Sequence, residues 1–382
     1  MLGADMRIIN LSSLNMETWI DPQYLVVYTT QVIPPELLRE IQARFPRLTI
    51  LGVSSYHGVF SPDGFRRGSY GFLMEGDEHF DLAPLAIDFS SSSNPRLQVR
   101  ETLTKSRRPN MTPHTILMHA IRGYEERIIE GIHDVYDQSV QIFGSTAAHD
   151  KFLDYPFVFL GETFLRQGVV LTLVYSDQFM CSITSGGYLP TQNSGTITAA
   201  QGRTLLTIDA RPAAEVYNEW THGLFEDCIR CGGELPRSAA LYPFGRPLNT
   251  PSGTDYWLSH PRSIHSDLGS IELYSEPEPN TTIILTRGNV RQLILHAGNV
   301  VRQALAIHNK ASIVAAFVMY CAGCTSIIAE NMPQVCREMQ NALGDIPFLG
   351  CTSHGEQGRI APTGRDSHGN MMVVLVLIKA SR

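Results

Sequence analysis

Apolar residues along this chain fall into short unbroken runs, each followed by a stretch with helical spacing and then by a second short run. Runs of this kind suit sheet strands covered on both faces, and their alternation with helices predicts parallel strand–helix–strand units. The order occurs three times. The first copy goes from Tyr24–Tyr28 through Pro34, Pro35 and Glu36 to Ile50–Ser55. The second goes from Ile116–His119 through Glu125–Tyr136 to Ile142–Thr146. The third goes from Phe317–Tyr320 through Ile327–Leu343 to Phe348–Ser353. Proline ahead of Glu36 suits a helix start, because the N–H it lacks would be unpaired there anyway.

Every copy ends its second strand in a glycine followed by small hydroxyl residues. These are Gly52 with Ser54 and Ser55, Gly144 with Ser145 and Thr146, and Gly350 with Thr352 and Ser353. A further apolar strand follows each, at Tyr70–Met74, Val169–Val174 and Met371–Ile378. The glycines are expected either to turn the chain sharply or to cradle a ligand with backbone. The predicted class is α/β, with mixed sheets built from repeated strand–helix–strand units and internal pseudo-symmetry.

Between the second and third copies the pattern changes. Cys181–Ser185, Gly195–Thr198 and Thr204–Asp209 read as short strands. A helix is predicted after Pro212, with Ala213, Val216, Trp220 and Leu224 on its apolar face. Another is predicted after Asn289, carrying Leu293, Ala297, Val301 and Leu305. The expected division is into domains 1–212 and 213–382, intertwined.

Charge and composition narrow the partners. A formal net charge of −7 argues against a nucleic-acid backbone, whose binding rests on a basic surface. The dense basic cluster Lys105, Ser106, Arg107, Arg108 reads as a solvated loop, with an anion or partner contact as the sharper alternative. No apolar run reaches the roughly eighteen residues of a membrane span, and no secretory leader pattern opens the chain. Seven scattered cysteines fit a reducing compartment, so a cytoplasmic location is expected.

The third-copy loop concentrates the candidate chemistry. Ser353, His354, Glu356, His368 and Asn370 bring hydroxyl, imidazole, carboxylate and amide groups together, a set able to orient a polar ligand. With Gly350, Thr352, Gly144, Ser145, Ser54 and Ser55 they are the predicted ligand-binding residues; the bland alternative is that they cap loop backbone and one another. Ser353, His354 and Glu356 lie too close in sequence for a hydrolase triad, and no Gly-x-Ser-x-Gly elbow is present, so no enzyme activity is expected. Cys228 with Cys231, and Cys321 with Cys324, have the spacing of zinc-binding pairs, although buried inert thiols are the default reading. Cys321 at a strand-to-helix turn is also a candidate reactive thiol of lowered pKa.

Three stretches together resemble the FIST N and FIST C domains: Phe143–Asp150, Leu206–Tyr217 with its Asp209-Ala210-Arg211-Pro212 core, and Phe348–Glu356. Ala210 stands where the family carries glycine, and Ser367-His368-Gly369-Asn370 replaces an adjacent His-Asn pair. The resemblance implies a non-enzymatic sensory module for a small, amino-acid-like ligand that signals through a protein partner. One branch of the family implies haem and nitric oxide sensing, although no Cys-x-x-Cys-His attachment motif occurs. The departures favour a competing expectation, a ligand-free scaffold role in a large assembly, cytoskeletal among the options.

Overall fold

The structure is a computed structural model that describes residues 5–75, 81–176, 179–250, 253–308, 310–360 and 365–380. All three predicted units form, and each builds a sheet in the same way. In the first copy Pro22–Thr29 lies parallel to Thr49–Ser54, joined by helix Pro35–Arg44, with Ser69–Glu75 antiparallel on the other side. The second pairs Thr115–Ala120 with Gln141–Thr146 through helix Glu125–Tyr136, and adds Gly168–Val174. The third pairs Ile313–Cys321 with Phe348–Ser353 and adds Val373–Lys379.

What closes each sheet is borrowed. The hairpin Val59–Ser61 and Gly64–Arg66 of the first copy pairs with Phe348–Ser353 of the third. Hairpin Glu356–Ile360 and Arg365–Gly369 of the third pairs with Gln141–Thr146 of the second. Hairpin Val158–Leu160 and Thr163–Leu165 of the second pairs with Thr49–Ser54 of the first. The three six-stranded sheets therefore share one strand order, and their hairpins pass round in a closed cycle. Each second strand, which would otherwise offer an open edge, is covered in this way. Tyr28, Phe72, Leu117, Phe143, Phe317 and Leu349 of the three sheets belong to one shared buried cluster.

The glycines act inside the strands. A Cβ at Gly52 would lie 2.1 Å from the Val27 carbonyl oxygen, at Gly144 1.9 Å from that of Met118, and at Gly350 2.8 Å from that of Val318. Both the tight-turn and the ligand-cradle expectations give way to a third cause, close approach of the parallel partner strand.

A fourth, nine-stranded sheet joins Leu189–Gln201 and Thr204–Ile208 to later strands, among them Phe244–Thr250, Gly253–Ser259, Pro261–His265, Ser270–Leu273 and Thr282–Arg287. Because Leu189–Gln201 pairs with Thr282–Arg287, strands are exchanged across Pro212. Helix Val290–Ile307 buries Leu293, Ala297, Val301 and Leu305, the face its spacing predicts. The expected helix 327–343 is instead Ala322–Ile327 followed by Met332–Leu343, because Pro333 fits only the first turn of a helix. The helix after Pro212 ends at Trp220, where the Thr221 hydroxyl bonds back to the Tyr217 carbonyl, so Leu224 falls outside it and is exposed. The basic cluster is only partly loop: Lys105 and Ser106 end helix Pro95–Ser106, and Arg108 pairs with Asp81. No helix among the described residues is long and apolar enough to cross a membrane.

Candidate ligand pocket

The three glycine–hydroxyl loops meet, but they meet one another. The Tyr56 N–H donates to the Thr352 carbonyl at 3.2 Å and the Thr352 N–H to Ser55 Oγ at 2.8 Å. The His354 N–H donates to the Thr146 carbonyl at 3.0 Å, and the Thr146 N–H to the Gly355 carbonyl at 2.8 Å. Ala148 N–H reaches the Ser54 carbonyl at 3.0 Å, which joins the second loop to the first.

This lacing occupies most of the predicted binding groups. Ser54 Oγ accepts from the Phe157 N–H at 3.0 Å, and Ser55 Oγ donates to the Gly58 carbonyl at 2.7 Å. Thr352 Oγ1 donates to the Tyr56 carbonyl, and Ser145 Oγ lies 2.9 Å from His119 Nδ1. Ser353 Oγ donates to Glu356 Oε1 at 2.6 Å, and Met372 N–H to Glu356 Oε2 at 3.2 Å. Burial, with the Cys321 thiol beside it, pushes the Glu356 carboxyl well above the usual range. His368 Nδ1 accepts from Gln357 Nε2 at 3.0 Å, which leaves its Nε2–H to donate to the Tyr274 carbonyl at 3.2 Å. Gly144 and Gly350 are strand-interior residues.

Beside this ring opens a cavity of about 240 Å³. Of the predicted residues, His354 and Asn370 line it, and Asn370 Nδ2 donates to the His354 carbonyl at 3.3 Å. The first copy contributes Tyr56, and the third contributes Cys321, Ala322, Gly323 and Ser326 from its strand-to-helix turn. The remaining wall comes from the nine-stranded sheet and the turn before it: Arg237, Ala240, His260, Arg262 and Tyr274. Sequence reading missed these last residues. Arg262 is on strand Pro261–His265, His260 and Tyr274 flank strand ends, and Arg237 and Ala240 sit in a short 3-10 turn, all in a region with no repeat pattern to mark them.

The pocket is lined by neutral rings and edged with positive charge. Burial, then Arg122 and His149, draws the His354 imidazole down to about 3, and burial alone draws His260 down to about 4. Both are uncharged near neutral pH and can donate and accept hydrogen bonds. Arg122 sits with its guanidinium 5.8 Å from the Tyr274 ring, and Arg262 donates to Glu272 Oε1 at 2.9 Å. Arg122 and Arg237 are exposed, and neither forms a salt bridge among the described residues. Arg237 on the pocket wall is thus left to face an incoming anion, and Arg122 stands beside the Tyr274 ring without lining the cavity itself.

The candidate thiols are separated. Cys228 packs beside Ile208 and Phe225, while Cys321 and Cys324 lie in the core that contains Val318 and Met332. No three histidine, cysteine or acidic side chains gather as a metal-holding group among the described residues. The lowered pKa expected for Cys321 is reversed: burial, then its Cys324 neighbour, raises it well above the ordinary thiol value.

Fold and pocket together define an α/β protein of repeated strand–helix–strand units with a ligand-sized cavity beside its joined loops. The FIST N domain matches residues 23–211 and the FIST C domain residues 213–359, and the chain belongs to the FIST family. FIST domains are in general sensory, ligand-binding modules of signalling proteins. No curated protein sequence matches the chain. Among solved structures it is similar to a crystal structure of a chorismatase, at 9% identity over 98% of each chain with a TM-score of 0.34.

Proposed function

We propose that this chain is a non-enzymatic sensory protein whose small ligand carries an anionic group, as an amino acid does, and occupies the cavity between Tyr56, His354 and His260. The observation that carries this reading is the pairing of two neutral half-buried rings with Arg237 on the cavity wall, a cation without a carboxylate partner among the described residues, with Arg122 close by at the Tyr274 ring. The carboxylate docks at Arg237, while His354 and Asn370 orient the polar remainder. Ligand binding then changes how the loops present themselves to a protein partner. The family membership supports sensing in general terms; the ligand and the partner are this proposal's own.

Calorimetric titration with free amino acids and small carboxylates tests it. A bound carboxylate is expected to lose at least about tenfold in affinity, or about 1.4 kcal/mol, on Arg237→Ala, and to lose all detectable binding as its neutral amide. Equal binding of acid and amide would contradict the reading.

A second reading has its own support, since the loop hydroxyls of all three copies are bonded within the protein. A scaffold role in a larger assembly predicts that Arg237→Ala leaves the protein's complexes in cell extracts unchanged. Haem is not part of either reading. His260 and His354 could each offer a nitrogen, but a cavity of about 240 Å³ has room for an amino-acid-sized molecule and not for a tetrapyrrole macrocycle.

A further inference from the structure

A cluster of sulfur atoms lies at the base of the pocket. Cys321 ends strand Ile313–Cys321 and Cys324 follows in the first turn of the next helix, so both thiols of the Cys-Ala-Gly-Cys sequence lie on one side of that turn. Both side chains are buried in the same core cluster. A third sulfur arrives from a distant part of the chain: Met371 Sδ is 3.7 Å from Cys321 Sγ. Met371 holds φ at 62°, a left-handed conformation that costs a residue with a side chain about 1–2 kcal/mol. The arrangement is therefore maintained against local backbone preference.

We propose that Cys321, Cys324 and Met371 form a binding site for a soft monovalent cation, copper(I). Two thiolates and a thioether are the ligand set that selects copper(I) over zinc or a hard cation. With metal–sulfur bonds of about 2.3 Å, a trigonal centre sets its sulfurs about 4 Å apart, close to the 3.7 Å found between Cys321 and Met371. Zinc would require a fourth donor from nitrogen, sulfur or oxygen, and no three histidine, cysteine or acidic groups gather for one among the described residues.

The surroundings complete the site. Cys321 lines the pocket, which provides an entry path, while Cys324 is almost wholly buried and has Tyr188 Oη 3.5 Å away. On binding, two S–H bonds break, two copper–thiolate bonds form and two protons leave to solvent, with no change of oxidation state. This site does not depend on the carboxylate reading of the pocket.

The test uses the full chain, reduced and free of oxygen, titrated with copper(I) held by the chromophoric chelator bathocuproine disulfonate. One copper per chain should leave the chelator, with an absorption-edge spectrum showing sulfur as its only near neighbour. Cys321→Ser and Cys324→Ser should each abolish the transfer, Met371→Leu should weaken it by at least about tenfold, and Cys336→Ser should leave it unchanged. In the unsubstituted protein, one equivalent of copper(I) should shield Cys321 and Cys324, but not Cys231, from alkylation read by peptide mass spectrometry. That measurement needs no variant to fold. No transfer from the chelator, a nitrogen-dominated shell, or alkylation of Cys321 unaffected by copper would each overturn the assignment.

Discussion

Asp209 and Ala210 both hold positive φ, 49° and 62°, in the two-residue turn that pairs Ile208 with Arg211. Such a turn favours Asp-Gly, because the second residue gains from having no Cβ. The glycine of the family pattern thus has a local cause, and Ala210 carries a strain that Ala210→Gly should relieve. The αL penalty outweighs the extra chain entropy of glycine, so a gain of about 0.5–1 kcal/mol is expected in chemical denaturation. A loss of stability would show that the turn relaxes in solution. The opposite change is harsher at Gly144, where a Cβ would meet the Met118 carbonyl at 1.9 Å and backbone must move. Gly144→Ala should cost at least about 2–3 kcal/mol, more than Gly350→Ala with its contact at 2.8 Å. The glycines were legible in the sequence as special positions. Their reason was not, because a strand interior and a loop turn look alike without the partner strand.

Among elements, the borrowed hairpins depend on a buried polar junction. Glu125 at the start of helix Glu125–Tyr136 accepts from Arg203 at 2.6 Å and from Thr146 Oγ1 at 3.0 Å, and Gln357 Nε2 donates to the same Thr146 oxygen at 2.9 Å. Arg203 stands in the turn between Leu189–Gln201 and Thr204–Ile208, so this junction ties the nine-stranded sheet to the repeats. Arg203→Ala would leave Glu125 buried without its strongest partner, and a loss of about 3–5 kcal/mol is expected in urea unfolding. Burial pushes the Glu125 carboxyl up, but the Arg203 guanidinium, through its charge and its hydrogen bond, reverses this and leaves it below the ordinary range. A depressed carboxyl stabilises the fold above its unfolded value near 4.5, and that contribution is lost as pH falls through the folded value. The repeat and its strands could be read from apolar runs alone. The hairpin exchange could not, since nothing in a short strand's own sequence states which neighbour it will cover.

For the whole molecule, acid stability follows from histidines that remain neutral inside. Burial lowers His119 to about 3, and it is the first cause of the values near 3 at His354 and near 4 at His260. Each binds a proton in the unfolded chain below about 6.5 but not in the folded one, so stability falls as pH drops through that value. Glu356 works in the other direction, because its raised folded value keeps a proton that unfolding releases. From about pH 6 to 5 the three histidines take up nearly three protons on unfolding, or about 3.7 kcal/mol lost per pH unit, and Glu356 offsets part of this. His119→Gln should remove about 1.2 kcal/mol per pH unit of that slope in denaturant titrations across the range. An unchanged slope would show that His119 is protonated in the folded protein.

The central claim is that the cavity between Tyr56, His354 and His260 holds an anionic small molecule. Native mass spectrometry of the protein taken from its own cells addresses it directly, with Arg122→Ala/Arg237→Ala prepared alongside. The account predicts a co-purifying small mass that ionises as an anion when released and is absent from the double variant. A bare chain mass in the unsubstituted protein, or the same mass retained by the variant, would contradict it.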